Sequence, residues 1–416
     1  MEFNTSLLHA GVAHEAKGST LAPIYQTSAF EHGTAQEIAN IFDSKAPGFI
    51  YSRVGNPTVQ EFENRITKLE GGIASIACSS GMAAISNAIL NIVQNDTEIV
   101  ASSSLYGGTI DLFRDLEQFG IKTVYVKNND IEAFEKAINE RTRLVFAETI
   151  GNPCLDVTDV EKISAVAHAH GVPFILDNTV ATPYLLKGLE HGADIVVNSA
   201  SKYINGHSNA ISGIITYGGK FKWDPEKYPQ VNEFKRFGPF AYIARLNNTL
   251  FRDTGACLAP MNAYLNLIGL ETLGLRMERE CQNAYELAHW LQETYPEITV
   301  NYPGLETSPW QEIAERQFNG KGYGAILTIR VGTKENAFAL IDNLKVPYTL
   351  SNIGDTKTLV VHPSTTISLH ESEEERINAG VFDDLIRISV GIEDIADLKA
   401  DFAQAIAAIN TNSTEE

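Results

Sequence analysis

Residues 194–203 read DIVVNSASKY, a short apolar run followed by two serines two apart and then a lysine. Taken alone, Lys202 is a charged residue closing a strand, the ordinary place for a lysine. The surrounding segments give it a different setting. RLVFAETI, VPFILDNT and SGIITYGG are further short apolar runs, as is EIVASSS upstream. Helical patterns lie among them: TVQEFENRITKLEG ending at Gly71-Gly72, GMAAISNAILNIV, GTIDLFRDLEQFG and VEKISAVAHAHG. Strands without clean alternation, separated by helices, predict a largely parallel sheet covered on both faces. The fold class is therefore α/β, with this domain spanning 61–255.

A chain of 416 residues exceeds one ordinary core, so a second domain is expected. From about 256 to 416 a long helical stretch, MNAYLNLIGLETLGLRMERECQNAYELAHWLQE, leads into GAILTIRV, PYTLS, TLVVH and LIRISVG with helices between and after them. That texture predicts a smaller α+β domain ending in a frayed tail, NTNSTEE. Residues 1–60 show little periodicity and read as an irregular arm. Within it YSRVGNPT carries Tyr51 and Arg53, placed to reach a neighbouring subunit's site in a symmetric dimer.

Hydrophobic content of 44% and charged content of 20% suit a globular chain. The net charge of -20 argues against a nucleic-acid partner, which needs a concentrated basic face, and lends no support to an anionic membrane surface. The start MEFNTSLLHAGV lacks a basic-then-apolar leader, and no apolar run approaches the roughly 20 residues of a membrane span. Cys78, Cys154, Cys257 and Cys281 are scattered without a CxxC pair. Neither a zinc site nor a redox dithiol is indicated, and buried free thiols in a reducing cytoplasm are expected.

Ligands of such sheets sit at the carboxyl ends of the strands. There lie Tyr106, Glu148 and Asn152, Asp177 and Asn178, and Ser199, Ser201 and Lys202. Singly, each has an ordinary explanation: Asp177 a helix cap, Tyr106 a core aromatic, Asn152 the turn residue before Pro153. Together, an amine, an acid, a phenol and two hydroxyls at one edge match the needs of pyridoxal 5′-phosphate. A lysine condenses with its aldehyde and an acid pairs with its ring nitrogen. The turn SSGM, with Gly81 and Met82 opening a helix, offers amides and a helix dipole to the phosphate, although Ser-Ser-Gly is also simply a good helix entry. Ser199 and Ser201 can face the same phosphate. Arg387, in the apolar run LIRISVGIE, needs an anion: either an acid such as Glu393, or a substrate carboxylate.

Over about residues 5 to 410 the chain resembles the PLP-dependent Cys/Met-metabolism family. The motifs that carry the resemblance are HAG, PIYQTSAF, YSRVGNPT, SSGMAAI, SLYGGT, ETIGNP, DNTVATPYL, SASKY, FGPFAYIARL, GLETLGLRMERE, NIGDTKTLVVHP and LIRISVGIE, in order. The resemblance implies the aspartate-aminotransferase-like fold type I. It implies Lys202 as the Schiff-base lysine and proton shuttle, Asp177 on the pyridine nitrogen, Asn152 near the 3-hydroxyl and Tyr106 stacked on the ring. Gly81, Met82, Ser199 and Ser201 would hold the phosphate, with Tyr51 and Arg53 of the neighbouring subunit. Arg387 and Asn352 would bind the substrate carboxylate. The implied reaction is γ-replacement on O-acetylhomoserine by sulfide or methanethiol, in a cytoplasmic homotetramer of two site-sharing dimers.

The alternative within the family is α,γ-elimination by a lyase. Gly108 stands where methionine γ-lyases carry a cysteine, and the loop SNIGDTKT and the insertion KWDPEKYPQVNEFKRFGPFAYIARL are of the sulfhydrylase kind. One departure is STTISLH after His362-Pro363, where sulfhydrylases show ASTTH; it bears on the acyl group and the sulfur donor.

Overall fold

The computed structural model describes residues 1–13, 18–369 and 373–412. A seven-stranded sheet is built from β1 (Ala74–Cys78), β2 (Thr97–Ser102), β3 (Ile121–Val126), β4 (Thr142–Glu148), β5 (Phe174–Asp177), β6 (Ile195–Asn198) and β7 (Gly213–Tyr217), in the order β1-β7-β6-β5-β4-β2-β3. β2, β3, β4, β5 and β6 run parallel, while β7 is antiparallel to both β1 and β6. The α/β expectation of a mostly parallel sheet holds. Along β4, Val145 and Ala147 join one apolar cluster while Leu144 and Phe146 join the cluster on the opposite face. Both faces are covered, so the strand has no reason to alternate.

Two strands of this sheet gave little signal in the sequence. β1 reads ASIAC, mostly small residues, and β3 reads IKTVYV at the sheet edge, where Lys122 and Tyr125 are exposed.

The second sheet has five strands, β8 (Thr299–Asn301), β9 (Ile326–Arg330), β10 (Tyr348–Thr349), β11 (Leu359–Val361) and β12 (Leu385–Ser389), ordered β10-β11-β12-β9-β8. Its own apolar cluster includes Leu340, Leu398 and Phe402 from the helices Lys334–Asn343 and Ile395–Asn412. The last of these helices runs to Asn412, through part of the segment expected to fray; residues 413–416 lie outside the described residues.

The N-terminal arm is less irregular than expected. Helices span Phe3–His9 and Ala35–Phe42, the second opened by a capping box of Thr34 and Glu37. Leu7 is buried, and Arg65 donates to its carbonyl. Helices of seven and eight residues offer too few turns for a periodic signal.

The long helical stretch after residue 255 breaks at Thr272 into Pro260–Glu271 and Leu273–Thr294. Both helices brace the segment after β6. A side chain at Gly269 would come within 2.1 Å of the Asn205 carbonyl, so the first helix rests its backbone on that loop. From the second, Arg276 donates to the Tyr203 carbonyl at 2.7 Å and to Gly269 at 2.7 Å. Among the described residues no helix is long and apolar enough to cross a membrane.

Candidate active site

A cavity of about 650 Å³ opens at the carboxyl ends of β4, β5 and β6, closed on its far side by the loop before β11 and by β12. Ten of the twelve candidate site residues line it: Gly81, Met82, Tyr106, Asn152, Asp177, Ser199, Ser201, Lys202, Asn352 and Arg387. Tyr51 and Arg53 do not. They line a separate cavity of about 900 Å³, where Arg53 donates to the Arg252 carbonyl at 2.7 Å.

Gly81 and Met82 are the first two residues of the helix Gly81–Leu90, capped by Ser80, whose hydroxyl accepts from the Ala83 amide at 3.0 Å. The helix-entry explanation of Ser-Ser-Gly is thus correct, and it coexists with an anion cradle. Among the described residues no acceptor meets the Gly81 or Met82 amide. A side chain at Gly81 would stand 2.6 Å from Cβ of Ser199, so only glycine lets the turn and the serine close on one another. Ser201 has a second duty, since its hydroxyl donates to the Ser212 carbonyl at 3.0 Å and accepts from the Ser212 amide at 2.8 Å.

Asp177 ends β5. It accepts from both the amide and the hydroxyl of Thr179, bonds that favour the carboxylate, but burial outweighs them and lifts its pKa to about 6. Such a group calls for a cation. The Thr179 hydroxyl also accepts the Ser199 amide at 2.8 Å and so ties β5 to the serine segment. Nothing in its spacing sets Thr179 apart beyond its place two residues after Asp177.

Lys202 donates to the Asn352 side-chain oxygen. Burial, helped by the charge of Arg387, lowers its pKa to about 8. Arg387 is buried on β12 and reaches Asn152 Oδ1 and the Asn352 carbonyl, each at 3.1 Å. Burial lowers its pKa to about 10, which leaves it charged at neutral pH. Among the described residues no carboxylate pairs with it; Glu393 instead accepts from the amide and hydroxyl of Thr358. The salt-bridge explanation of Arg387 therefore fails.

Tyr106 is 44% exposed and lines the cavity, so it is no core aromatic. Its amide donates to Glu148 Oε1 at 2.6 Å. Glu148, at the end of β4, also lines the cavity, and burial together with Asp177 pushes its pKa well up. The departure in STTISLH places Ile367 on the cavity wall, while His370 lies outside the described residues.

The donors and charges fit pyridoxal phosphate: unmet amides at a helix start for a dianion, a buried acid for the ring nitrogen, and an amine of lowered pKa between them. Comparison with known proteins agrees. A family model described as Cys/Met metabolism PLP-dependent enzyme matches residues 4–407. The sulfhydrylase FUB7 of Fusarium oxysporum is 42% identical, over 97% of this chain and 96% of that protein. The homocysteine synthase of Schizosaccharomyces pombe is 42% identical, over 97% and 98%. A Campylobacter jejuni structure assigned as an O-acetylhomoserine (thiol)-lyase, solved with N′-pyridoxyl-lysine-5′-monophosphate, superposes with a TM-score of 0.94 at 34% identity, covering 98% of this chain and 100% of that one.

Proposed function

Because the chain belongs to the Cys/Met metabolism PLP-dependent enzyme family, with its fold type I architecture, we propose that it replaces the acetoxy group of O-acetylhomoserine with a sulfur nucleophile. Sulfide gives homocysteine and methanethiol gives methionine, with acetate released. One observation carries the reading: Lys202, Asp177, Tyr106 and a carboxylate-free Arg387 line a single cavity, in a chain 42% identical to a homocysteine synthase.

Bound pyridoxal phosphate supplies an electron sink for charge that develops at the substrate α-carbon. Gly81, Met82, Ser199 and Ser201 would hold its phosphate, Asp177 its ring nitrogen, Asn152 its ring hydroxyl and Tyr106 its face. Lys202 would hold its aldehyde and, when released, move protons at Cα and Cβ of the substrate. A pKa of about 8 leaves part of the Lys202 population uncharged near neutral pH, as a base requires. Arg387 fixes the substrate carboxylate through a bidentate match, with Asn352 beside it. Tyr106 would also take a proton from the incoming amine or give one to the leaving group.

Residues 1–60 act in this reading as an arm that brings Tyr51 and Arg53 to the phosphate of a neighbouring protomer. Residues 61–255 carry the cofactor and 256–416 form the second domain. The assembly is a homotetramer of two site-sharing dimers, and the location cytoplasmic. What supports the arm is its position: Tyr51 and Arg53 border a cavity distinct from that of Lys202 in their own chain.

The test supplies O-acetylhomoserine with and without sulfide and measures homocysteine against 2-oxobutyrate. Homocysteine that forms only with sulfide is expected. Ketoacid released equally fast in both cases, with no homocysteine, refutes γ-replacement in favour of elimination.

A further inference from the structure

Glu148 is a cavity-lining acid to which the reaction above assigns no role. It ends β4 in register with Asp177 on the neighbouring parallel strand β5. In-register residues of parallel strands point to the same face, about 4.8 Å apart along the hydrogen-bonding direction. Two carboxyl groups so placed, 6% and 8% exposed, cannot both carry charge without a counterion between them.

The surrounding groups decide which one ionises. Asp177 receives two donors, the amide and hydroxyl of Thr179. Glu148 receives one, the Tyr106 amide at 2.6 Å, and faces a further acid, Asp156, from the segment after β4. Asp156 accepts from the Ser104 hydroxyl and, as a further acid, brings Glu148 no positive charge. The cations lining the cavity, Lys202 and Arg387, come from the segment after β6 and from β12, and the strands flanking Glu148, β2 and β5, bring none. Both burial and the charge of Asp177 push the Glu148 pKa upward.

We propose that Glu148 is a positioning residue that works uncharged: it moors the Tyr106 main chain to the end of β4 and holds the proton of the Glu148–Asp177 pair, leaving Asp177 as the single negative charge offered to the cofactor ring. A neutral carboxyl keeps a carbonyl oxygen for the Tyr106 amide. The helix Gly107–Leu116 begins at that point, and Tyr106 caps it with no side-chain bond of its own, so the mooring is supplied by Glu148. The inference rests on pyridoxal phosphate occupying this cavity.

Glu148→Gln keeps shape, acceptor and neutrality; Glu148→Ala removes the mooring. Each variant is prepared without cofactor, titrated with pyridoxal phosphate to obtain its Kd, and then followed by visible absorption across pH. The Gln variant is expected to hold Kd within about twofold of wild type, with a superimposable spectral pH titration and retained activity. The Ala variant is expected to lose about fivefold in Kd, the scale of one hydrogen bond, and to lose kcat more than KM. A Gln variant whose spectral titration shifts, or whose Kd rises about tenfold, overturns the proposal by showing that a charged Glu148 is used. An Ala variant identical to wild type overturns the mooring. Should Ala fail to fold, the Gln result still decides the charge. A wild-type protein that takes up no colour refutes the cofactor reading itself, a different outcome from either variant result.

Discussion

Replacing Arg387 by methionine separates function from stability at one atom group. The guanidinium is 3% exposed, holds two hydrogen bonds to neutral oxygens at 3.1 Å and has no carboxylate partner. Those two bonds contribute about 1 kcal/mol each net. Against them stands the cost of a buried cation without a counterion, several kcal/mol after relaxation. Asn152 and Asn352 both line the cavity, so water can take the places the guanidinium leaves. The sum lies near zero or favours methionine, and the urea midpoint of Arg387→Met is expected to equal or exceed that of wild type. Catalysis moves the other way. Losing a bidentate, charge-assisted grip on the substrate carboxylate removes about 3–4 kcal/mol, or roughly 10²–10³ in kcat/KM, mostly through KM. Steady-state kinetics with O-acetylhomoserine and urea unfolding at saturating cofactor measure the two sides. A variant that loses more than about 3 kcal/mol of stability while keeping its KM would refute the reasoning, because the arginine would then be structural.

Gly81→Ala places a Cβ 2.6 Å from that of Ser199, and about a tenfold rise in the cofactor Kd is expected by absorbance titration, with the fold intact by circular dichroism. Lys202→Ala should be colourless, and mixing it with Arg53→Ala tests the arm. Random reassociation makes half the dimers hybrid with one intact site each, so about a quarter of wild-type activity returns; no recovery above either variant alone would sink the shared site. Glu280 is fully buried with neither oxygen bonded, and burial raises its pKa to about 8 from 4.5. The folded state therefore keeps a proton that the unfolded chain releases, and this stabilisation is present below 4.5 and lost as pH rises to about 8. Glu280→Gln should flatten that decline and unfold later than wild type above the window in urea titrations; an unchanged slope would contradict it.

The chemistry was legible because parallel strands put their useful residues at one end. Asp177, Ser199, Ser201 and Lys202 follow apolar runs directly, and the cavity forms where those runs stop. Placement by sequence failed where meaning depends on a partner. The link from Arg387 to Asn152 spans 235 positions, and no local pattern distinguishes it from an ion pair with Glu393. Thr179 is an ordinary hydroxyl until Asp177 and Ser199 meet on it. Glu148 is one acid among many until β5 sets Asp177 alongside. The antiparallel course of β7 was equally silent, because SGIITYGG is buried on both faces and reads the same in either direction. The helix Phe3–His9 draws its order from the Arg65 bond and the burial of Leu7, contacts that lie far along the chain.

Four hydrogen bonds join the loop before β11 to the lysine segment: Lys202 to the Asn352 side-chain oxygen, the Asn352 side-chain amide to the Ser208 hydroxyl at 3.0 Å, Ser208 to Asp355, and the Thr356 amide to the Gly206 carbonyl at 3.0 Å. With the arginine of β12, these contacts close the cavity using residues that leave the ribosome after most of the chain has been made. The large sheet can be complete while its pocket still lacks a wall. What is completed last is the side assigned to the substrate carboxylate, so a chain cut short before this loop keeps Lys202 and Asp177 and lacks the residues that would grip the amino acid.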